Sequence, residues 1–478
     1  MVHDVLPREP WLLEWRSSKS MIGLAVFMST FTDGFLYGIV VAVLPFSLTA
    51  RSGVSESDLP FWTSLSLAVF GTALVVGAPL AGWLIKRSKA CQTPFIVGLG
   101  CAFGATLLFM LGTAPWIIVV ARVFQGISAG IIYAAGLTLL VETADETDLG
   151  PMIGFGLSGM NFGVMISPTL GGIVYEKAGF YPVFIMGMTI VAVDLVGVLL
   201  IIDRKTAEGY QSQSIHGEPN TSSYESFPDR ALTQQPRQIS PGETDSSVTT
   251  SLLSPPNSIY LSPEEEVSWA TITFGLLRNP RIMAALYGCA LQSMLVSSMD
   301  AVLPIMVKST FHWNSAATGA IFLNITIPSL AAPLLGLLVN QKGTRFTALC
   351  GLGLTAPTLA LLALVQQNSI GHKVLICILL LIIGVGFNAS LTALTTEIPL
   401  AIADLQEAQP EIYQGKDAIA QGYMLFDIMV GAGQMFGPLI AGLAFKNIGW
   451  AGCTLILGII HLSGIIPVVS GSSYTFYL

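Results

Sequence analysis

Four carboxylates and one guanidinium lie inside long apolar stretches of this 478-residue chain. Asp33 stands in Thr30-Phe31-Thr32-Asp33-Gly34, and Asp427 in Leu425-Phe426-Asp427-Ile428-Met429. Asp300 lies four residues before Pro304, Asp194 lies between Val193 and Leu195, and Arg122 follows Ala121. An ionised side chain at the bilayer centre costs about 2.5–3.5 kcal/mol on insertion scales, so such residues persist where they meet water, a partner or a cargo. Asp33 and Asp427 are therefore read as proton carriers or as contacts for a cationic cargo. For Asp33 the competing reading is a carboxylate held by its neighbouring Thr hydroxyls or by another helix's backbone. Asp300, nearer a span end, binds protons, gates that end, or pairs with nearby Lys308. Asp194 is expected to be structural or an interfacial anchor. Arg122 must be paired or solvated. It either raises the acidity of a nearby carboxyl, coupling proton release to cargo binding, or it bonds backbone carbonyls and positions its helix. Glu397 reads as a solvated helix end.

No enzyme site emerges beside these groups. His312, His372 and His461 fall near the ends of apolar stretches and lack partners at catalytic or metal spacing. The six cysteines, Cys91, Cys101, Cys289, Cys350, Cys377 and Cys453, form no CxxC pair, so neither zinc nor a disulfide framework is indicated. Glycine runs such as Gly98-Leu99-Gly100 and Gly351-Leu352-Gly353 sit within apolar stretches and are not phosphate loops. No metal or cofactor is expected, and an ion gradient, by preference protons, is the natural energy source. A net charge of −8 and a pI near 5.1 argue against nucleic acid as a partner.

The elements that carry these residues must live in lipid. Hydrophobic residues make up 53% of the chain, charged residues 10%, and the mean hydropathy is +0.70. An average soluble domain has about 25% charged residues, so too few charges exist to cover a soluble surface of this size. Spans of roughly 20 apolar residues are predicted over 21–49, 61–85, 94–112, 115–141, 150–175 and 182–202, then 281–307, 316–339, 346–366, 374–397, 417–445 and 450–470. The expectation is an all-α membrane protein of twelve transmembrane helices in two six-helix halves. Its parts are an N-terminal segment 1–20, a first half 21–202, a linker 203–280, a second half 281–470 and a tail 471–478. The linker is rich in Ser, Pro, Gln and Thr and is expected to be mostly disordered. Lys and Arg number fifteen on one set of loops and five on the other, with Arg122 inside a span. The richer side should be cytoplasmic and should hold both termini. Trp11-Leu12-Leu13-Glu14-Trp15, beside Arg16 and Lys19, and Val267 to Leu277, with Trp269 and Phe274, suit helices lying on that inner leaflet.

The two halves repeat. Ala42-Val43-Leu44-Pro45 recurs as Ala301-Val302-Leu303-Pro304, and Ala78-Pro79-Leu80-Ala81-Gly82 as Ala332-Pro333-Leu334-Leu335-Gly336. Gly163, Pro168 and Gly172 match Gly433, Pro438 and Gly442 at the same spacing. Parallel repeats of six spans, with a substrate site between halves near mid-membrane, are the arrangement of major facilitator transporters.

On these residues the chain resembles the twelve-span drug:proton antiporters of the major facilitator superfamily, including the vesicular amine and acetylcholine transporters and their fungal relatives. Arg122-x-x-Gln125-Gly126 matches that family's RxxQG motif. Gly163-x4-Pro168-x2-Gly171-Gly172 resembles its antiporter motif, with Ser167 where Gly is usual. Gly433, Gly437 and Pro438 stand at the repeat position. Small residues of this kind let helices approach closely, and the prolines bend them. Tyr175-Glu176-x-x-Gly179 resembles the vesicular branch, and Asp33, Asp300 and Asp427 fall where that branch places intramembrane acids. The departures are specific. The loop after span 2 reads Gly82-x3-Lys86-Arg87-Ser88-Lys89 without the family's acid, and its repeat carries Asn340 there. Phe70 stands where amine carriers place a Lys, and Asn388 falls near a span 10 acid of the vesicular branch.

The resemblance implies a monomeric secondary transporter that exports a small, lipophilic organic compound such as a drug, toxin or secondary metabolite, in exchange for protons, by alternating access. The plasma membrane is the expected location, with a vacuolar or vesicular membrane as the alternative. Rival functions are a uniporter or symporter for a small nutrient, vacuolar or vesicular sequestration of an organic cation, and a transporter-like sensor acting through the linker.

Overall fold

The computed structural model describes residues 11–88, 92–144, 149–202, 269–413 and 417–470. Residues 203–268 of the expected linker 203–280, the first ten residues, Lys89 of the cationic loop and the tail 471–478 lie outside the described residues. What is described is almost wholly helical, because a chain in lipid must satisfy its backbone internally.

A short helix α1 (Leu13–Arg16) leads into the first half: α2 (Lys19–Ser52), α3 (Leu59–Arg87), α4 (Gln92–Leu111), α5 (Pro115–Thr143), α6 (Leu149–Ala178) and α7 (Phe180–Leu200). A surface helix α8 (Trp269–Arg278) then precedes α9 (Pro280–Phe311). The next crossing is broken into α10 (Ser315–Ile321), α11 (Leu323–Thr326), a 3-10 turn (Ile327–Ala331) and α12 (Ala332–Lys342). The second half continues with α13 (Thr344–Leu361), α14 (Ile370–Ala408), α15 (Pro410–Tyr413), α16 (Asp417–Leu462) and α17 (Ile465–Ser470).

Ten of these helices are long and apolar enough to cross a membrane, and the bent pair Ser315–Ala331 and Leu334–Lys342 makes eleven if the pair is taken as one broken span. α16 is itself two helices joined at Gly449, whose φ of 71° and ψ of −173° no helix accommodates. The pattern is thus consistent with twelve spans. Several helix starts carry polar caps. Ser18 accepts from Met21 N at 3.3 Å, Asn279 from Arg281 N at 2.9 Å, and Asn314 from Ala317 N at 2.9 Å. Gly53, at φ 64°, closes α2 in the left-handed conformation that ends many helices.

Glycine sets the pairing of helices. A Cβ at Gly163 on α6 would meet the backbone of Phe31 and Phe35 on α2, and one at Gly433 on α16 would meet Ala290 and Met294 on α9. In lipid, helices associate through such close packing rather than through a hydrophobic drive. The repeat seen in the sequence therefore becomes a repeated contact, α2 on α6 and α9 on α16. Gly126 likewise lies against the backbone of Phe70 on α3, and Gly437 against Met294 and Ser297 on α9. Gly171 lies against Ile39 on α2, whereas Gly172 faces Ser315 in the other half.

Both surface helices sit at the end of the bundle where α2 begins and α17 finishes, here termed the proximal end. Leu13 is buried while Trp11 and Trp15 are 75% and 53% exposed. Arg16 donates to the carbonyls of Leu199 and Leu200, which ties α1 to the end of α7. In α8, Ile272 and Leu276 are buried and Trp269 and Phe274 face outward. Aromatic rings beside Arg16, Lys19 and Arg278 suit a bilayer interface.

Candidate functional site

The first half brings Asp33 and Arg122 inward. Asp33 is 3% exposed, and its Oδ1 has no hydrogen-bond partner among the described residues. The Thr hydroxyls expected to hold it point elsewhere. Thr30 Oγ1 donates to Gly156 O at 2.6 Å and Thr32 Oγ1 to Met28 O at 2.9 Å. Each hydroxyl has one proton to give, and both are spent on backbone.

Arg122 is fully buried on α5. Its Nη1 donates to Gln125 Oε1 at 2.7 Å, while Nε and Nη2 have no partner among the described residues. Of the two readings of Arg122, bonds to backbone carbonyls are not seen among the described residues. The guanidinium carbon lies 5.2 Å from the ring centre of Tyr37, 5.5 Å from that of Phe109 and 5.6 Å from that of Phe70. Three aromatic faces thus replace part of its hydration. Among the described residues no carboxylate pairs directly with it, yet it lies within electrostatic range of Asp33 and Asp300. Phe70, where a Lys would sit in an amine carrier, is one of the three rings.

Asp300 and Asp427 come from the second half. Asp300 is buried and accepts the Tyr37 hydroxyl at 2.7 Å. Its expected partner Lys308 is engaged elsewhere: Nζ donates to Thr49 Oγ1 at 3.3 Å and lies over the Phe46 ring. Asp427 on α16 is half-buried. Tyr133 of α5 lies within electrostatic range of both Asp33 and Asp427, and its buried hydroxyl has no partner among the described residues. The structure therefore gathers Asp33, Arg122, Asp300 and Asp427 around the plane between the halves.

It does not gather Asn388. That side chain is buried on α14 with its amide donating to Gly384 O, one turn back, at 2.8 Å. The next residue back, Phe387, lines an inter-half cavity together with Tyr37, Val41, Asp300 and Phe322. A water-sized centre can occupy about 30 Å³ of it, room for a water or two but not for an organic cargo.

Asp194 proves to be an interior residue rather than an interfacial one. It is 2% exposed and accepts from Ser29 Oγ at 2.9 Å, so it joins α7 to α2. Glu397 is not a helix end. It lies within α14, accepts Arg281 Nε at 2.7 Å and also bonds Thr344, joining three helices at the proximal end. His461, near the end of α16, is buried with Nε2 at 3.4 Å from Gln292 Nε2, and Gln292 donates to Ser390 at 2.6 Å.

Sequence reasoning missed Tyr37, Tyr133 and the Gln292 cluster. One signal existed for Tyr37: it follows Asp33 by four residues and so shares its helix face. Tyr in an apolar span also needs a partner for its hydroxyl.

Among the described residues, the following polar contacts between the halves fall on one side. Besides Tyr37–Asp300, they are Ser315 to Gly172 O and Glu176, Thr169 to Gly319 O, Lys308 to Thr49, and Asp58 to Lys446 at 3.8 Å. All lie at mid-depth or toward the end opposite the surface helices, the distal end. Toward the proximal end, Ile419 and Tyr423 of α16 pack against the first-half core through apolar contact.

Two pseudo-repeated helix bundles that meet around a buried set of acids and one arginine define a secondary transporter. The Major Facilitator Superfamily model matches residues 26–405, and the chain belongs to that superfamily. The chain is 28% identical to the MFS-type transporter ppzB of Metarhizium rileyi over 471 residues, 96% of each protein. It is 21% identical to the human synaptic vesicular amine transporter, covering 83% of this chain and 64% of that one. Among solved structures, a POT family transporter in complex with thioalcohol conjugated peptide shares the fold at a TM-score of 0.63 and 15% identity, over 94% of this chain and 95% of that one. A bacterial homolog of the lysosomal transporter Spinster, inward-facing and unoccupied, gives 0.58 at 13% identity, over 95% and 94%. The chain is thus a multi-pass integral membrane protein of a carrier family, built to move a small molecule by secondary transport.

Proposed function

We propose that the chain is a proton-coupled antiporter that exports a small organic compound, such as a drug, toxin or secondary metabolite, by alternating access. The observation that carries this reading is Asp33: a carboxylate buried at the plane between halves, with an oxygen that no neighbour satisfies, and in range of a buried arginine. Burying a charge is costly unless it is paired or can be neutralised. A proton or a cationic cargo neutralises it, and the two compete for one oxygen pair. Tyr133 of α5 lies within electrostatic range of both Asp33 and Asp427 of α16, so a charge bound near Asp33 is felt by both halves. Arg122 favours the charged form of the acids near it and so helps to eject the proton once the site opens to the cytoplasm.

In this cycle cargo enters from the proximal, cytoplasmic end and contacts Asp33 and Asp427. Separation at the distal end admits protons, which bind these acids and release the cargo outward. The proton gradient supplies the energy, and no cofactor takes part. The lining of Val41, Met299, Phe322 and Phe387 suits a lipophilic compound. With Phe70 in place of a lysine and Asn388 in place of an acid, the vesicular amine scheme does not transfer whole. One copy in the plasma membrane, both termini cytoplasmic, is sufficient for this cycle.

The test is proton release from reconstituted vesicles challenged with a panel of lipophilic cations and neutral metabolites. Wild type should release protons as cargo moves, and Asp33→Asn should bind cargo without doing so. Cargo movement without protons, equal in both proteins, would replace antiport with uniport and reduce Asp33 to a structural residue.

A further inference from the structure

We infer that Tyr37 is the latch between the two halves, and that its hydroxyl bond to Asp300 sets how long the distal end stays closed. The inference rests on the halves moving against each other, and it stands whether or not protons drive that motion. Among the described residues, Tyr37–Asp300 is the one buried hydrogen bond between side chains of opposite halves. Of the other inter-half polar contacts, Ser315 Oγ to Gly172 O is buried but is a neutral bond to a backbone carbonyl at 3.1 Å, and Thr169 to Gly319 O is part-buried at 3.3 Å. Lys308–Thr49 and Ser315–Glu176 are part-buried, and Asp58–Lys446 joins two half-exposed side chains at 3.8 Å. Exposed pairs of that kind contribute little. A hydroxyl donating to a carboxylate is roughly twice as strong as a neutral pair, and burial removes the competing water.

The choice of residue type supports the same point. The Tyr37 ring packs 5.0 Å from the Phe70 ring and lies under the Arg122 guanidinium. Phenylalanine would fill that place equally well. The hydroxyl alone requires tyrosine, and the hydroxyl alone crosses to the other half. Neither group has a substitute when the halves part. Tyr37 is 6% and Asp300 5% exposed, so each would stay unsatisfied until water reached it. Unlatching therefore has a defined cost located at two atoms. It also shifts a ring that lies against Arg122, so the state of the distal end is felt at the arginine within electrostatic range of Asp33.

The test measures the distal end directly. Spin labels at Glu56→Cys and Asn447→Cys, exposed positions at the distal end of opposite halves, the first on the turn before α3 and the second on α16 just before Gly449, go into the full-length protein with its native cysteines replaced, in lipid vesicles. Pulsed electron resonance then gives the distance distribution. Tyr37→Phe should lower the ratio of closed to open distal end by about tenfold, the effect of losing one such bond. Asp300→Ala should act in the same direction, and the double variant should go no further than the larger single change. A Tyr37→Phe distribution equal to wild type overturns the latch, as do additive effects of the two changes. Tyr37→Phe keeps the ring and its packing. If Asp300→Ala does not fold, Asp300→Asn takes its place, with the same direction expected and a smaller shift. Failure of cargo-driven proton release in wild type would defeat antiport and leave this distance measurement untouched.

Discussion

Arg122 keeps its charge inside the protein with a single hydrogen bond to Gln125 and three surrounding rings. A planar guanidinium can lie against rings in this way, while an ammonium is a compact, strongly hydrated charge. Arg122→Lys preserves the charge and loses the stacking, so it should draw water between Tyr37, Phe70 and Phe109. The expected outcome is transport reduced about tenfold or more, the loss of roughly 1.4 kcal/mol of positioning, with the folded yield unchanged. Initial rates of cargo movement in vesicles, normalised to folded protein, check this; a normal rate in the lysine variant would show that charge alone suffices. Residues of this kind were legible in the sequence because a charge in an apolar run is conspicuous. Asp33, Asp427 and Arg122 are all found that way. Tyr37 and Tyr133 were not, since tyrosine is unremarkable in an apolar span and its meaning depends on what lies opposite. Asp300 shows the same limit from the other side. Its position was readable, but proximity in sequence suggested Lys308, and the actual partner is 263 residues away.

At the scale of elements, hydropathy and glycine carried most of the information. The first six predicted spans differ from the observed helices by a few residues at each end, because apolar length decides where a helix must run. Four crossings of the second half departed from expectation for local reasons. The eighth crossing is broken at Phe322 and again by a 3-10 turn containing Pro328. The tenth continues past Glu397 to Ala408, since Glu397 is bonded by Arg281 and Thr344 and needs no water to end the helix. The eleventh and twelfth join at Gly449 without an intervening loop. Glycine spacing also predicted which helices pair, and this yields a contrast between two substitutions. At Gly163 an added methyl meets Phe35 N at 2.7 Å, whereas at Gly353 it meets nothing within 4 Å. Gly163→Ala should lower the thermal midpoint in detergent, with about 1–3 kcal/mol of overpacking. Gly353→Ala should leave the midpoint unchanged or raise it slightly, by helix propensity. Equal midpoints for the two variants would remove close packing as the reason for Gly163.

For the whole molecule, the distribution of contacts says which motion is available. Among the described residues, hydrogen bonds and ion pairs between the halves gather from mid-depth to the distal end, while Ile419 and Tyr423 meet the first half proximally through apolar contact. Apolar side chains can slide apart toward water or lipid without leaving a bond unmade, but the distal contacts must be broken one by one. The inter-half cavity, about 30 Å³ to a water-sized centre, cannot admit an organic cargo until the halves separate. Transport therefore requires each end to open in turn, and fixing either end should stop the cycle. Asp58 and Lys446, paired at 3.8 Å across the distal end, offer a place to do this. With both changed to cysteine and joined by a short reducible cross-linker, cargo should still bind from the proximal side while net transport falls to the background rate. Reductant should restore transport, and either single cysteine treated alike should transport normally. Undiminished transport by the cross-linked protein would mean that cargo passes without the distal ends of the two halves parting, and a rocking cycle would then have to be abandoned for a path within one half.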